Sequence, residues 1–155
     1  MSDEGFFARR AWPWDHLYNG RYGVDCEAIL EIPEIDFGTY HFYPAAQAMN
    51  VSNEFGNTWI EDHIAAGVRA NKPMILEEYG IREPQERDLW YGRWLDSLYR
   101  GGGAGDLLWM IGSRHEAVAG NRDDYTVYSA DEIPSVVAHI QAMTAGALTV
   151  RDQPD

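Results

Sequence analysis

Lys72-Pro73-Met74-Ile75-Leu76-Glu77-Glu78-Tyr79-Gly80 is the stretch on which the reading of this fold turns. A short apolar run, Met74-Ile75-Leu76, passes directly into two acids, an aromatic residue and a glycine. Continuous apolar runs of this length suit strands covered on both faces, as in parallel sheets. Ligands of open α/β sheets gather at the carboxyl ends of such strands, which is where Glu77 and Glu78 stand.

Working outward, Ile35 to Tyr43 reads as a strand rich in β-branched and aromatic residues and closed by Pro44. Between the two strands, Asn57 or Thr58 opens a helix through about Ala70, with Ile60, Ile64 and Val68 as one buried stripe. Beyond Gly80, Pro84 to about Tyr99 reads as a second helix. Its apolar side carries Leu89, Trp90, Trp94, Leu95 and Leu98, and Gly101-Gly102-Gly103 stops it. Leu107 to Ile111 is a third buried strand, followed by a polar loop and the segment Thr126-Val127-Tyr128. Asp131 and Pro134 then start a last helix to about Leu148. Upstream, residues 1–34 form a loop-rich, aromatic segment in which Trp12-Pro13-Trp14 and Asn19-Gly20 mark turns and Asp25 caps a short helix. Residues 149–155 are expected to fray. The order over 35–148 is three βα units, which implies parallel strands joined by crossover helices. Three units do not close a barrel, and an open sheet of three strands invites pairing at its edges.

Composition narrows the function. The chain has 155 residues, 45% of them hydrophobic, which suits one globular domain. A formal net charge of -13 disfavours nucleic acid and anionic membranes as partners. No stretch approaches the about 18 apolar residues of a membrane span. Cys26 is the only cysteine, so no disulfide forms within the chain. Met1-Ser2-Asp3-Glu4 shows no signal-peptide pattern, and localisation stays open. Asn50-Val51-Ser52 matches the glycosylation acceptor pattern. Six Trp and nine Tyr serve a core, and they also suit stacking on sugar rings.

Each strand ends in residues of catalytic type: His41-Phe42-Tyr43, Glu77-Glu78-Tyr79-Gly80, and Trp109. Alternation puts His41 and Tyr43 on one face and sends Glu77 and Glu78 to opposite faces. Tyr43 is placed to donate to a carboxylate, and Trp109 to floor a sugar ring. An ionised carboxylate with such a platform is what a glycosyl-enzyme mechanism requires. Core packing of His41 and Trp109 and a solvated Glu pair are the plainer alternatives. The five histidines, at 16, 41, 63, 115 and 139, lack zinc-ligand spacing, and the Gly101–Gly105 run precedes a strand instead of following one. The sequence therefore gives no reason to expect a metal or cofactor. Asp123-Asp124 reads as a hydrated loop, with a cation site as the lesser alternative.

These residues resemble glycoside hydrolase family 5, in its endo-β-1,4-mannanase branch. The resemblance is carried by Ile35-Asp36-Phe37-Gly38-Thr39-Tyr40-His41-Phe42-Tyr43-Pro44, Thr58-Trp59-Ile60-Glu61-Asp62-His63 and Lys72 to Gly80. Gly105-Asp106-Leu107-Leu108-Trp109, Asp124-Tyr125-Thr126-Val127-Tyr128 and Asp3-Glu4-Gly5-Phe6-Phe7 extend it. It implies an α/β fold forming the C-terminal part, strands six to eight with their helices, of a (β/α)8 TIM barrel. It further implies Glu78 as the nucleophile, Glu77 as a neighbour facing away, Tyr43 orienting Glu78, His41 near the sugar cleft and Trp109 as the substrate platform. Met110 stands where relatives often have Gln.

By that resemblance the family's acid/base Glu lies in an Asn-Glu-Pro type motif at the end of strand four, whereas the Asn-Glu of this chain is Asn53-Glu54-Phe55 after the first of its three strands. No acid/base is therefore expected within these 155 residues. The implied activity is retaining hydrolysis of internal β-1,4-mannosidic bonds in β-mannan or manno-oligosaccharides, without metal or cofactor. The chain alone is expected to be nearly inactive. A family 5 cellulase-type fragment and a non-catalytic carbohydrate-binding half-barrel are the alternatives. Self-association, or pairing with an N-terminal half-barrel, is the expected fate of the open edges. Full-length relatives of this family are often secreted.

Overall fold

The computed structural model describes residues 5–6, 16–46, 49–113, 123–128, 131 and 133–151. Trp12-Pro13-Trp14, His115 and the last four residues of the expected tail lie outside them. Helix α1 (Cys26–Leu30) is followed by β1 (Gly38–Phe42), α2 (Phe55–Ala70), β2 (Met74–Tyr79), a 3-10 turn (Pro84–Glu86) and α3 (Arg87–Gly101). Then come β3 (Gly105–Leu108), the two-residue strands β4 (Ile111–Gly112) and β5 (Val127–Tyr128), and α4 (Pro134–Arg151). The sheet has the order β1-β2-β3 and is parallel throughout. The βαβ order expected from sequence is therefore present.

Local chemistry explains the boundaries. The Asp25 carboxylate accepts from the Ala28 N–H and caps α1. Asn71 ends α2 in the left-handed region (φ 55°), and Gly102 does the same for α3 (φ 82°). Helix α4 continues past Leu148 to Arg151, three residues into the expected tail.

The helix stripes differ from the expected ones for geometric reasons. Residues four apart advance about 40° around a helix, so Ile60, Ile64 and Val68 drift off the buried face. Val68 is 73% exposed, and Trp59, His63, Ala66 and Gly67 complete the buried side. In α3, Leu89 points to solvent while Tyr91 is fully buried beside Trp94 and Leu98. The third strand is shorter and less covered than its apolar sequence suggests. It ends at Leu108, and Leu107 and Ile111 are exposed because no further strand packs beyond β3 among the described residues.

The core is an aromatic layer between the sheet and α2 and α3. Trp59, Trp94, Tyr18, Tyr40, Tyr79, Tyr91, Phe6 and Phe42 are each almost wholly buried. Phe6 stacks on Tyr18 at 5.2 Å, and Tyr18 meets Trp59 edge-on at 5.7 Å. The described part of the N-terminal segment therefore seals the core at Phe6, Leu17 and Tyr18. Tyr18 also donates to Asp62 on α2 at 2.7 Å. Offset and edge-to-face ring pairs add about 0.5–1.5 kcal/mol each beyond area burial, which suits a layer built from so many of them.

Gly56, in the first turn of α2, shows how tight this layer is. A Cβ there would collide with the Phe42 and Trp94 rings. The Trp94 indole cannot retreat freely, since its Nε1 donates to the Asn53 carbonyl at 2.9 Å. Gly56→Ala gains up to about 1 kcal/mol in helix propensity, but overpacking against rings costs roughly 1–3 kcal/mol. The expected outcome is a net loss of roughly 1 kcal/mol or more, read as a lower urea midpoint with an unchanged m-value.

Candidate active site

The site begins at the C-terminal end of β1. Tyr40 and Phe42 have no exposed surface and face the helices, so alternation turns His41 and Tyr43 to the opposite face. The Trp59 indole donates to the His41 carbonyl at 2.9 Å, and the Tyr43 N–H contacts the Met49 sulfur at 3.1 Å. This strand end is thus tied down from both sides.

Strand β2 supplies the carboxylates through a break in register. Tyr40 pairs with Leu76, but the next residue, His41, pairs with Glu78. On the other side Leu76 pairs with Asp106 and Tyr79 with Leu108, so the same stretch again carries an extra residue. A bulge of this kind resets the alternation of everything after it. Tyr79 rejoins the helix-covered face of Met74 and Leu76, and Glu78 turns to the face of His41 and Tyr43. The Tyr43 phenol donates to Glu78 Oε2 at 2.9 Å. His41 lies between both acids, with Nε2 3.4 Å from Glu77 Oε2 and Nδ1 3.8 Å from Glu78 Oε2. The expectation that Glu77 faces away is therefore corrected. Strict alternation would separate the two carboxylates, and the bulge brings both to His41.

The third component comes from the end of β3. The Trp109 N–H donates to the Tyr79 carbonyl, which places the residue beside Gly80, and the Trp109–Met110 peptide bond is cis. The indole is 40% exposed, and its Nε1 donates to Asp123 Oδ2 at 2.7 Å. Gly80 lets these pieces converge. A Cβ on it would lie 2.9 Å from Tyr43, 2.8 Å from Tyr125 and 2.9 Å from the Trp109 carbonyl. Tyr125 meets the Tyr43 ring edge-on at 5.0 Å, and the Arg82 guanidinium lies 5.3 Å from the Tyr125 centroid.

All four residues expected from sequence, His41, Tyr43, Glu78 and Trp109, are thus placed around the ends of the three strands. Sequence reasoning missed Arg87, Asp123 and Tyr125. Arg87 is 3% exposed and donates to four carbonyl oxygens among the described residues: Ile81, Arg82, Asp124 and Thr126. The spacing Asp123-x-Tyr125-Thr126 carried a usable signal, since Asp readily closes a turn on the amide two residues ahead. Asn53-Glu54 lies elsewhere, with Glu54 exposed at the start of α2. Among the described residues no group of three or more His, Cys, Asp or Glu is arranged to hold a metal ion, and no helix is long and apolar enough to cross a membrane.

No protein-family model matches the chain. It is 34% identical over 152 residues to mannan endo-1,4-beta-mannosidase A of Podospora anserina, a match that covers 94% of this chain and 39% of the relative. Among solved structures, the endo-1,4-beta-mannanase of Rhizomucor miehei aligns with a TM-score of 0.78 at 35% identity, covering 92% of this chain and 39% of that one. The hyperthermostable endo-1,4-beta-D-mannanase of Thermotoga petrophila aligns at 0.73 and 34%, covering 91% and 44%. The chain spans about two fifths of the length of these relatives. Its three parallel strands and their helices are accordingly an incomplete (β/α)8 barrel.

Buried phenols make the site's electrostatics measurable. Burial, then the hydrogen bond and charge of Glu78, push the Tyr43 phenol far above its ordinary value of 10.0. Burial followed by the charge of Asp106 does the same to Tyr40 and Tyr79. These groups ionise at about 10 in the unfolded chain, so their stabilisation is intact below that pH and is lost as pH rises above it. An ultraviolet titration is expected to show these three phenols ionising together with alkaline unfolding. In Tyr43→Phe that late step should shrink by one tyrosine.

Proposed function

We propose that this chain, whose sequence and fold are those of part of a glycoside hydrolase family 5 mannanase domain, supplies the nucleophile half of a retaining β-mannan-hydrolysing site. The observation that carries this reading is the 2.9 Å hydrogen bond from Tyr43 to Glu78 at the end of β2. A charge-assisted hydrogen bond of this kind holds the carboxylate in one orientation. Glu78 Oε attacks the anomeric carbon of a mannosyl unit, forming an ester while the bond to the leaving sugar breaks. Trp109 floors the sugar at that carbon. His41, between the two acids, keeps Glu77 on the nucleophile's side of the substrate.

That arrangement explains why Glu77 does not stand in for an acid. The proton donor of a retaining enzyme acts on the leaving oxygen, with the two carboxyl groups roughly 5 Å apart across the bond. Glu77 and Glu78 are consecutive on one strand and share His41, so both approach from the same side. A sugar alkoxide leaves poorly without a proton, and general acid assistance is worth about 10²–10⁴-fold. The acid/base and the rest of the cleft come from a segment with the remaining βα units.

The two sheet edges fit that partner. Strand β1 pairs only with β2, and β3 only with β2, among the described residues. Beside the free edge of β1 lies an apolar groove of about 410 Å³ lined by Cys26, Ile29, Leu30 and Phe37. Beside that of β3 lies one of about 460 Å³ lined by Leu107, Ile111, Val136 and Ile140. Parallel strands need crossover helices on their faces, and a strand-helix unit on each side would fill both grooves. Two copies of this sheet would supply six strands where the barrel has eight, so an N-terminal segment of the mannanase type fits better than a second copy. The relatives above 30% identity are named as mannanases, which favours mannan over glucan as substrate.

Reducing-sugar release from β-mannan tests the reading. The chain alone is expected to stay near background. Adding the separately produced N-terminal portion of the Podospora anserina relative should restore hydrolysis, and Glu78→Gln in this chain should abolish the gain. Turnover by the chain alone at the level of a complete mannanase, or restored activity with Glu78→Gln, contradicts it.

A further inference from the structure

We infer that Arg87 and the Asp123–Thr126 turn are positioning elements that fix the Trp109 indole, and that Arg87 acts on the platform without touching it. The inference rests on the reading of Trp109 as the sugar floor. Asp123 Oδ2 receives the indole N–H at 2.7 Å, while its Oδ1 receives the Tyr125 N–H at 2.9 Å and the Thr126 hydroxyl at 3.2 Å. The Asp123 N–H returns to Thr126 Oγ1 at 3.0 Å, so the turn closes on itself around that carboxylate. One carboxylate therefore sets both the turn and the indole.

The turn meets the strand ends through the Tyr125 ring on Tyr43 and, at its exit, through the Val127 N–H on the Met110 carbonyl. Arg87 adds a tie from the turn's own carbonyls to the segment after β2. Its guanidinium bonds Ile81 and Arg82, just after β2, and also Asp124 and Thr126 within the turn, at 2.9–3.3 Å. Burying a cation is costly unless its donors are satisfied, and here the planar fork meets carbonyls from two separate segments. A lysine at this position keeps the charge but cannot span both segments from one rigid plane. The same turn presses Tyr125 against Tyr43, so it reaches the residue that holds Glu78 as well. The chain of contacts is short and each link is a hydrogen bond or a ring edge.

The indole N–H resonances of the ¹⁵N-labelled full chain read this directly, with Trp109→Phe assigning one of the six. Arg87→Lys and Thr126→Val are each expected to shift the Trp109 resonance and to speed its solvent exchange on the order of tenfold, the loss of a hydrogen bond to a charged group. The Trp59 and Trp94 resonances, whose indoles donate to the His41 and Asn53 carbonyls, should stay in place. Arg93→Lys should move only Trp90, over which Arg93 sits at 4.7 Å. An unmoved Trp109 resonance in either variant with Trp59 and Trp94 unchanged overturns the inference. If Arg87→Lys does not fold, Trp59 and Trp94 collapse with the rest and Thr126→Val decides. Mannotriose added to the wild-type chain separates the two readings. A selective Trp109 shift supports the sugar floor, whereas its absence at saturating sugar sinks that role and leaves the response to the variants to decide the positioning.

Discussion

The hydrogen bond between Tyr43 and Glu78 exists because β2 gains one residue on both neighbours at Glu77-Glu78. Without that bulge, Glu78 would follow Met74 and Leu76 into the aromatic layer, where an unpaired carboxylate costs several kcal/mol. With it, Tyr79 fills the layer instead, edge-on to Tyr91 at 5.3 Å and donating to Asp106 at 2.9 Å. A single extra residue thus divides the strand into a packing half and a chemical half. Bulges are over-represented beside active sites for this reason: they re-aim a side chain without moving the rest of the sheet.

The layer beneath makes the re-aimed side chain hold still. Trp59 fixes the backbone of His41, Trp94 fixes the loop at Asn53, and both rings are wholly buried. On the open side, Gly80 brings Tyr43, Tyr125 and Trp109 closer than any larger residue would permit. Tyr79 and His139 both bond Asp106, which joins β2, β3 and α4 behind the site. Precision at the strand ends is therefore a property of the core and not of the loops alone. Among the described residues the sheet stops laterally at β1 and β3, and an apolar groove lies beside each of them next to a finished core.

Much of this was legible in the residues. Period and length place β2 and the helices, because buried runs and apolar stripes leave strong patterns. His41 and Tyr43 share a face, as alternation requires. Alternation failed at Glu77, since a bulge leaves no trace in residue type. The Val68 and Leu89 assignments failed because apolar character does not say which residue the rotating stripe exposes. Arg87 was invisible for another reason. Its partners are carbonyl oxygens, two close in sequence and two some 40 residues away, and backbone acceptors carry no sequence signature. The covered third strand failed because the sheet stops at β3 among the described residues.

The claim that Glu78 is a nucleophile awaiting its acid is most directly tested with a substrate that needs no acid. A 2,4-dinitrophenyl β-mannobioside loses its aglycone as a stabilised phenolate. Attack by Glu78 then breaks the anomeric C–O bond, forms the ester and releases the dye without proton transfer. Lacking a base to deliver water, the ester should persist. Intact mass after incubation is expected to show one mannobiosyl group per chain, with peptide mapping placing it on Glu78. An unmodified chain, or a label on Glu77 or elsewhere, would contradict the account.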